Sequence, residues 1–593
     1  MKKIIWLVVC CLMVASLLVT SCGEAATEEE EVVTEEEEEE EVVAEEGMVQ
    51  VKATKVDGTT IVLWKEKPVY GGEITSTRTS DVLGWDPVYT TGSSMATRSV
   101  TNEELLQEDY TKSLAGTGEG GYQTGEVFSG VHTGCLAESW EIPDDHTVIF
   151  HIRQGVYWHN KPPVNGREFT ADDFVYSYLR CYNTEGSWHY GQWSRELVEA
   201  LEVTATDKYT VVVKGSTAIA AEVLRVGGNY MYIVPREMVE LHGDMTDWKN
   251  TCGTGPWELV DYVQASSLTF TRNPNYWEKH PWFGDQLPYA ESMKWLIIPD
   301  ASTQLAAFRT GKILTEGGTW DTAEELMRTH PHILWKENKP RGSYIIGMRT
   351  DKEDLPFDDI RVRKALNMAF DNRIFIDFYY SGHAEMIDYP VSNYPENYLM
   401  YTPLEELPEE VQKLYGYYPE EAAQLLADAG YPDGFTTSIV CMSSHADILS
   451  IIKDNWQKIG VTLNIEVKDR PVYYSIWYRG SFDEMFMGSS ISYWPRSWNN
   501  LMPGNYLNVS MIDDPIVNAA IKYWEENSID WEGCCREAKK AFLYAFEQAW
   551  YVPIPAAYTY SFWQPWYKGY YGQGFSKYCW IDQELKAEMG YKN

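Results

Sequence analysis

Basic residues are scarce in this chain: 49 Lys and Arg stand against 88 Asp and Glu, for a formal net charge of −39. Such a surplus of negative charge repels phosphate backbones, so nucleic acid is excluded as a partner. Cysteine is present ten times, yet no C-x-x-C spacing for zinc or redox work occurs. Catalytic motifs are missing too. There is no G-x-S-x-G elbow and no H-E-x-x-H helix, so no catalytic residue is assigned. His330 and His332 flank a proline without an obvious third ligand and read as surface residues; no metal and no cofactor are expected. Beyond the first twenty residues no apolar run approaches the length that spans a bilayer, and no repeat of solenoid period is found.

What is present is globular composition, 593 residues with 44% apolar and 23% charged, long enough for two or more domains. Aromatic residues make up 14%, including 24 Trp, which is more than one core readily hides; some are expected to line a binding surface. The N-terminus reads as an export signal, with Lys2 and Lys3 ahead of an apolar run over 4–20. It ends in Val19-Thr20-Ser21-Cys22, which resembles the bacterial lipobox and makes Cys22 the lipidation site, an uncleaved membrane anchor being the alternative. Either way the body lies outside the cytoplasm. Residues 24–46 hold 14 Glu and no base, and like-charge repulsion keeps such a run extended as a disordered tether. Seven cysteines remain past Cys22; an odd number leaves at least one free thiol unless it pairs between chains, and burial is the role expected of them.

Periodicity gives the body an α/β character. Residues 147–153 alternate, with Val148, Phe150 and Ile152 on one face of a strand. Thr170 and Asp173 form an acidic capping box ahead of a helix whose apolar face carries Phe174, Val175, Tyr178 and Leu179. Pro419 opens a helix that Gly430 closes, and 448–459 reads as another, ended by Gly460 and followed by a strand through Val461, Leu463, Ile465 and Val467. Helix feeding strand is α/β wiring.

Several stretches then become recognisable. Leu136-Ala-Glu-Ser-Trp-Glu141, Phe150-His-Ile-Arg-Gln-Gly-Val-Tyr-Trp-His159 and Phe169-Thr-Ala-Asp-Asp-Phe-Val-Tyr176 follow one another at the spacing of a family signature. Gly253-Thr-Gly-Pro-Trp257, Arg272-Asn-Pro-Asn-Tyr-Trp277 and Phe357-Asp-Asp-Ile-Arg-Val-Arg-Lys-Ala-Leu366 supply later landmarks. From about residue 68 to the C-terminus the chain resembles the family 5 extracellular solute-binding proteins, the oligopeptide- and dipeptide-type receptors of ABC importers. The resemblance implies a two-lobed periplasmic-binding-protein type II fold with an extra inserted domain, lobes that close on a ligand, delivery to membrane permease subunits, and a monomer that is not an enzyme. It also implies the division of the chain: signal peptide 1–21; lipidated Cys22 and acidic tether 22–67; first lobe 68–90, 215–310 and 556–593; inserted subdomain 91–214; second lobe 311–555.

The ligand expected is a peptide, or alternatively an oligosaccharide; a secreted polymer hydrolase is the more distant reading. In peptide-binding relatives an acidic run follows a Phe-Asp strand of the second lobe and pairs with the peptide ammonium. Here Phe482-Asp-Glu-Met-Phe-Met-Gly488 is followed by Ser489-Ser-Ile-Ser-Tyr-Trp-Pro-Arg-Ser-Trp498, which has no acid. Tyr493, Trp494, Arg496 and Trp498 stand there instead, and a guanidinium favours a carboxylate or hydroxyls over an ammonium. Trp494 and Trp498 either face ligand or pack the loop. Trp85 follows the first strand at the cleft mouth or in the lobe packing, and Arg341 and Tyr344 precede an apolar strand where the second lobe is expected to face ligand.

Overall fold

The computed structural model describes residues 47–82, 84–89, 98–119, 130–185, 187, 201–215, 231–340, 342–386, 389–393, 397–491, 496–527, 529–574 and 576–591. The lipobox, Cys22 and the Glu-rich run lie outside the described residues.

The chain enters the body through an antiparallel hairpin, Met48–Thr54 against Thr60–Glu66. This corrects the expectation of a disordered tether reaching to residue 67. Asp57-Gly58 makes the turn, with Gly58 at φ +89° and Asp57 Oδ1 accepting from the Thr59 amide at 2.8 Å, which is the chemistry a tight hairpin requires. Alternation then puts Val51 and Ala53 on the buried face.

The first lobe is built on a four-stranded sheet in the order Trp257–Val263, Ser267–Arg272, Ser292–Ile297, Glu73–Arg78. Its last pair is parallel, aligning Ser292 with Glu73 and Ile297 with Arg78. Ile74, Trp257, Phe270 and Met293 are buried in its core. A separate sheet, Ala137–Asp144, Thr147–Ile152, Thr210–Lys214 and Glu202–Asp207, makes the inserted subdomain. Val148, Phe150 and Ile152 are buried there, as their alternation requires. They pack under the Ala171–Asn183 helix, where the Thr170 amide donates to Asp173 in a capping box.

The second lobe holds a five-stranded sheet in the order Thr462–Lys468, Thr436–Met442, Met485–Ser489, Tyr344–Met348, Tyr551–Pro553. The first three strands are parallel and the last two pairings antiparallel. Helices Ile360–Met368, Pro419–Asp428 and Ala446–Gln457 close one face over Leu366, Leu426, Ile452 and Trp456, all at most 1% exposed. Helices Pro515–Glu526 and Trp531–Gln548 pack with the other face's cluster.

Between the lobes lies a three-stranded sheet, Thr315–Gly318, Thr559–Trp563, Leu334–Asn338. The boundary expected at residue 311 puts 315–338 in the second lobe, yet its strands hydrogen-bond to the C-terminal strand instead, and Leu314 donates its amide to Thr75 of the first lobe. All seven cysteines of the body are buried. Among the described residues no helix is long and apolar enough to cross a membrane.

Candidate functional site

The topology of the second-lobe sheet points to one edge. Its parallel strands end at Met442, Lys468 and Ser489, and the antiparallel register puts Tyr344 opposite Ser489 and Ile345 opposite Pro553. In open α/β sheets, ligands bind beyond the carboxyl ends of the parallel strands. Two segments leave this same edge, 339–343 and 554–558, and both run directly into the three-stranded sheet at Asn338 and Thr559. The carboxyl edge of the second lobe therefore faces the first, with the crossing segments beside it. Two short segments that can absorb backbone rotation are what hinge closure needs.

The crossing segments are tied together side by side. The Ile554 amide donates to Tyr344 O at 2.9 Å, and Ala384-Glu385 pair with Ala556-Ala557. At their first-lobe end, the Trp320 ring stacks on His383 with centroids 3.5 Å apart at 17°. The Tyr560 hydroxyl donates to Glu337 and lies 2.9 Å from His383 Nδ1. This aromatic and ionic knot holds the crossing segments where they enter the three-stranded sheet.

On the cleft edge itself, the Ser343 amide donates to Ser490 Oγ at 2.9 Å and the Ser490 amide to Ser343 O at 2.8 Å. Gly342 is needed for this approach, since a Cβ there would stand 2.5 Å from Ser490 O. Tyr344 is 37% exposed, its ring centroid 4.7 Å from that of His445. His445 sits just past the Thr436–Met442 strand and is 1% exposed. Its Nδ1 accepts from the Met442 amide at 3.4 Å, which leaves the proton on Nε2, and Nε2 has no hydrogen-bond partner among the described residues. Burial holds its pKa down to about 4, so the ring is neutral at physiological pH. A buried polar atom left open can be met by a ligand or a water, and His445 Nε2 is one of several such atoms among the described residues.

The residues expected from the sequence divide clearly. Tyr344 is on the cleft edge. Arg341, Tyr493 and Trp494 lie outside the described residues, and of Arg496 only the backbone, in a 3-10 turn with Trp498, is described. Trp498 takes the packing alternative: it is 1% exposed, its ring centroid 5.0 Å from Phe542 on the Trp531–Gln548 helix. Trp85 takes the packing alternative as well, 8% exposed and edge-on to Tyr262 at 5.1 Å. Its neighbour Asp86 grips Arg180 of the subdomain helix through both oxygens, at 2.8 and 2.5 Å, and accepts from the Val88 and Met245 amides. Burial opposes that charge, but the guanidinium and the amides outweigh it and hold the carboxyl below its usual range. Sequence reasoning missed His445; the available signal was a His immediately after a strand that feeds a helix.

Fold and site define a protein that binds a solute between two hinged lobes. The chain belongs to the bacterial extracellular solute-binding proteins, family 5, whose middle-region profile matches residues 133–506. It is 29% identical over 474 residues to the heme-binding protein A of Haemophilus influenzae, covering 74% of this chain and 81% of that one. It is 26% identical to the periplasmic oligopeptide-binding protein OppA of Salmonella typhimurium, over 65% of this chain and 70% of the relative. Among solved structures, the periplasmic binding protein DppA of Helicobacter pylori in complex with the peptide STSA superposes with a TM-score of 0.67 at 22% identity, covering 87% of this chain and 99% of that one. The fold is the type II periplasmic binding-protein fold, and the family is one of extracytoplasmic solute-binding proteins of ABC importers, not enzymes.

Proposed function

We propose that this protein captures extended peptides between its lobes and hands them, unchanged, to the permease subunits of an ABC importer. The observation that carries this reading is His445. A neutral imidazole with a free Nε2 proton, at the carboxyl edge of the second-lobe sheet, suits the carbonyl oxygen of a peptide backbone and is indifferent to side-chain identity. The extended Met485–Ser489 strand and the crossing segment at Ser343 run out at the same edge, where a further extended chain would lie alongside them. The acid that pairs with a peptide ammonium in relatives is missing after Ser489, so the peptide would be held through its backbone and its carboxylate. The oligosaccharide alternative stands on the 24 Trp and the same missing acid, with aromatic faces beside Arg496 to suit sugar rings; Trp498, one of those rings, is 1% exposed.

The N-terminal reading completes the proposal. Cys22 carries the lipid, and the Glu-rich run over 24–46 holds a monomeric body away from the membrane surface. Thermal-shift titration with tri- to pentapeptides, short glucans and hemin tests the ligand class, because only a bound ligand raises the melting temperature in a saturating way. Peptides should do so; saturation by glucans or hemin alone would overturn the reading. Cys22→Ala should move the protein from the membrane fraction to the soluble one.

A further inference from the structure

A cavity lies under the N-terminal hairpin. The Met48–Glu66 hairpin folds against the first lobe, its Lys52 carbonyl accepting from Trp282 Nε1 at 3.0 Å and its Glu66 paired with Lys568 at 2.9 Å. Beneath it is a space of about 220 Å³ walled by Trp64, Tyr110, Trp282, Tyr571 and Tyr578, with Lys65 at its rim. The strand Glu73–Arg78 fixes its position. Pro68 and Glu66 place the cavity at the amino end of that strand, whereas the loop that carries Trp85 leaves from the carboxyl end. The cavity also takes Leu334 and Trp563 from the three-stranded sheet into its lining, and none of the cleft-edge residues Ser343, Tyr344, His445 or Ser490.

The walls are ring faces. Tyr110 and Tyr578 stack at 3.9 Å and 17°, and Trp282 lies 5.3 Å from Tyr110. These rings are anchored from behind: the Tyr578 hydroxyl donates to the buried Glu278 at 2.5 Å. Lys65 is the one unbalanced charge. Its Nζ stands 4.1 Å from the Tyr571 ring centroid and 5.6 Å from that of Trp282, with no acid paired to it among the described residues, because its neighbour Glu66 is engaged by Lys568. Burial with nothing to offset it pulls the ammonium down to about 8. An anion brought against Nζ would relieve that cost, and the ring faces would accept a flat apolar body. The volume is below the roughly 300–1,000 Å³ usual for drug-sized ligands, which excludes an extended peptide and suits a single ring.

We propose that this cavity is a second binding site, for a small aromatic carboxylate whose ring lies among Trp64, Trp282 and Tyr571 and whose carboxylate pairs with Lys65 Nζ. The proposal does not depend on the ligand class of the cleft. Calorimetric titration of the full chain with phenylacetate, and with uncharged 2-phenylethanol, tests it on the native protein and on Lys65→Gln. Expected are saturable one-to-one binding of phenylacetate, a loss of at least tenfold in Lys65→Gln, and a comparable loss for 2-phenylethanol on the unaltered chain. Binding should persist when the cleft has been saturated with whichever ligand it takes. No saturable heat up to millimolar phenylacetate, equal affinity of the two proteins or of the two probes, or displacement by the cleft ligand would each overturn it.

Discussion

Two buried polar regions of this protein are built to opposite rules. At the junction of hairpin, subdomain and first lobe, Lys577 pairs with Glu278 and reaches Gln107 Oε1 at 2.8 Å and the Tyr276 hydroxyl at 3.1 Å. Glu278 also accepts from Gln107 at 3.0 Å and from Tyr578. Glu103 beside it accepts from Tyr276 at 2.7 Å and Trp277 Nε1 at 3.0 Å. Each charge there is met by several partners. At the cleft edge His445 is as deeply buried, carries no charge, and leaves Nε2 open. The contrast is between a completed network, which fixes parts that must not move, and an open group at the cleft edge, one of several among the described residues, which a ligand there would meet.

The comparison is broken most forcefully at the junction. Lys577→Met strands Glu278 as an unpaired buried carboxylate and should destabilise the body by about 3–5 kcal/mol in denaturant unfolding, while leaving ligand affinity unchanged if the folded fraction is assayed. A core Trp offers a second check of comparable size. Trp498→Ala should cost about 3–5 kcal/mol and shift the unfolding midpoint; were Trp498 a ligand contact, affinity would fall and stability would hold.

Asp86 brings pH into the comparison. Asp86→Asn weakens a buried ion pair and should cost about 3 kcal/mol at neutral pH. Because the folded-state pKa of Asp86 lies below its ordinary value, its contribution is present above about pH 4 and is lost as pH falls through the folded pKa. The gap in melting temperature between wild type and Asp86→Asn should therefore be wide at pH 7 and narrow near pH 2.5. The smallest effect belongs to the open imidazole. His445→Ala should leave folding nearly intact and weaken peptide binding by about three- to tenfold, the range of one neutral hydrogen bond of roughly 0.5–1.5 kcal/mol. With its pKa at about 4, His445 should contribute equally at pH 6 and pH 8, which titrations at both values would check.

Local structure was legible wherever local chemistry decides it. The Thr147–Ile152 strand followed from alternation, and the Ala171–Asn183 helix from its capping box. The Pro419–Asp428 helix had its start at Pro419 and its stop at Gly430, which takes φ +99°. The Asp57-Gly58 hairpin signal was equally local, but the acidic run before it masked it as tether. Long-range pairing was not legible. Ser343 meets Ser490 across 147 residues, and the 315–338 stretch finds its strand partner at Thr559–Trp563, choices that rest on register between distant segments. For the same reason aromatic composition announced a binding surface without saying which rings form it, and Trp85 and Trp498 went to packing.

Calorimetric titration of the intact body with a defined pentapeptide, followed by recovery of the peptide, is the most direct test of capture between two lobes. One-to-one saturable binding, weakened in His445→Ala and returning the peptide uncut, is the expected result. Absence of binding while hemin or a glucan saturates the protein, or recovery of cleaved peptide, would contradict it.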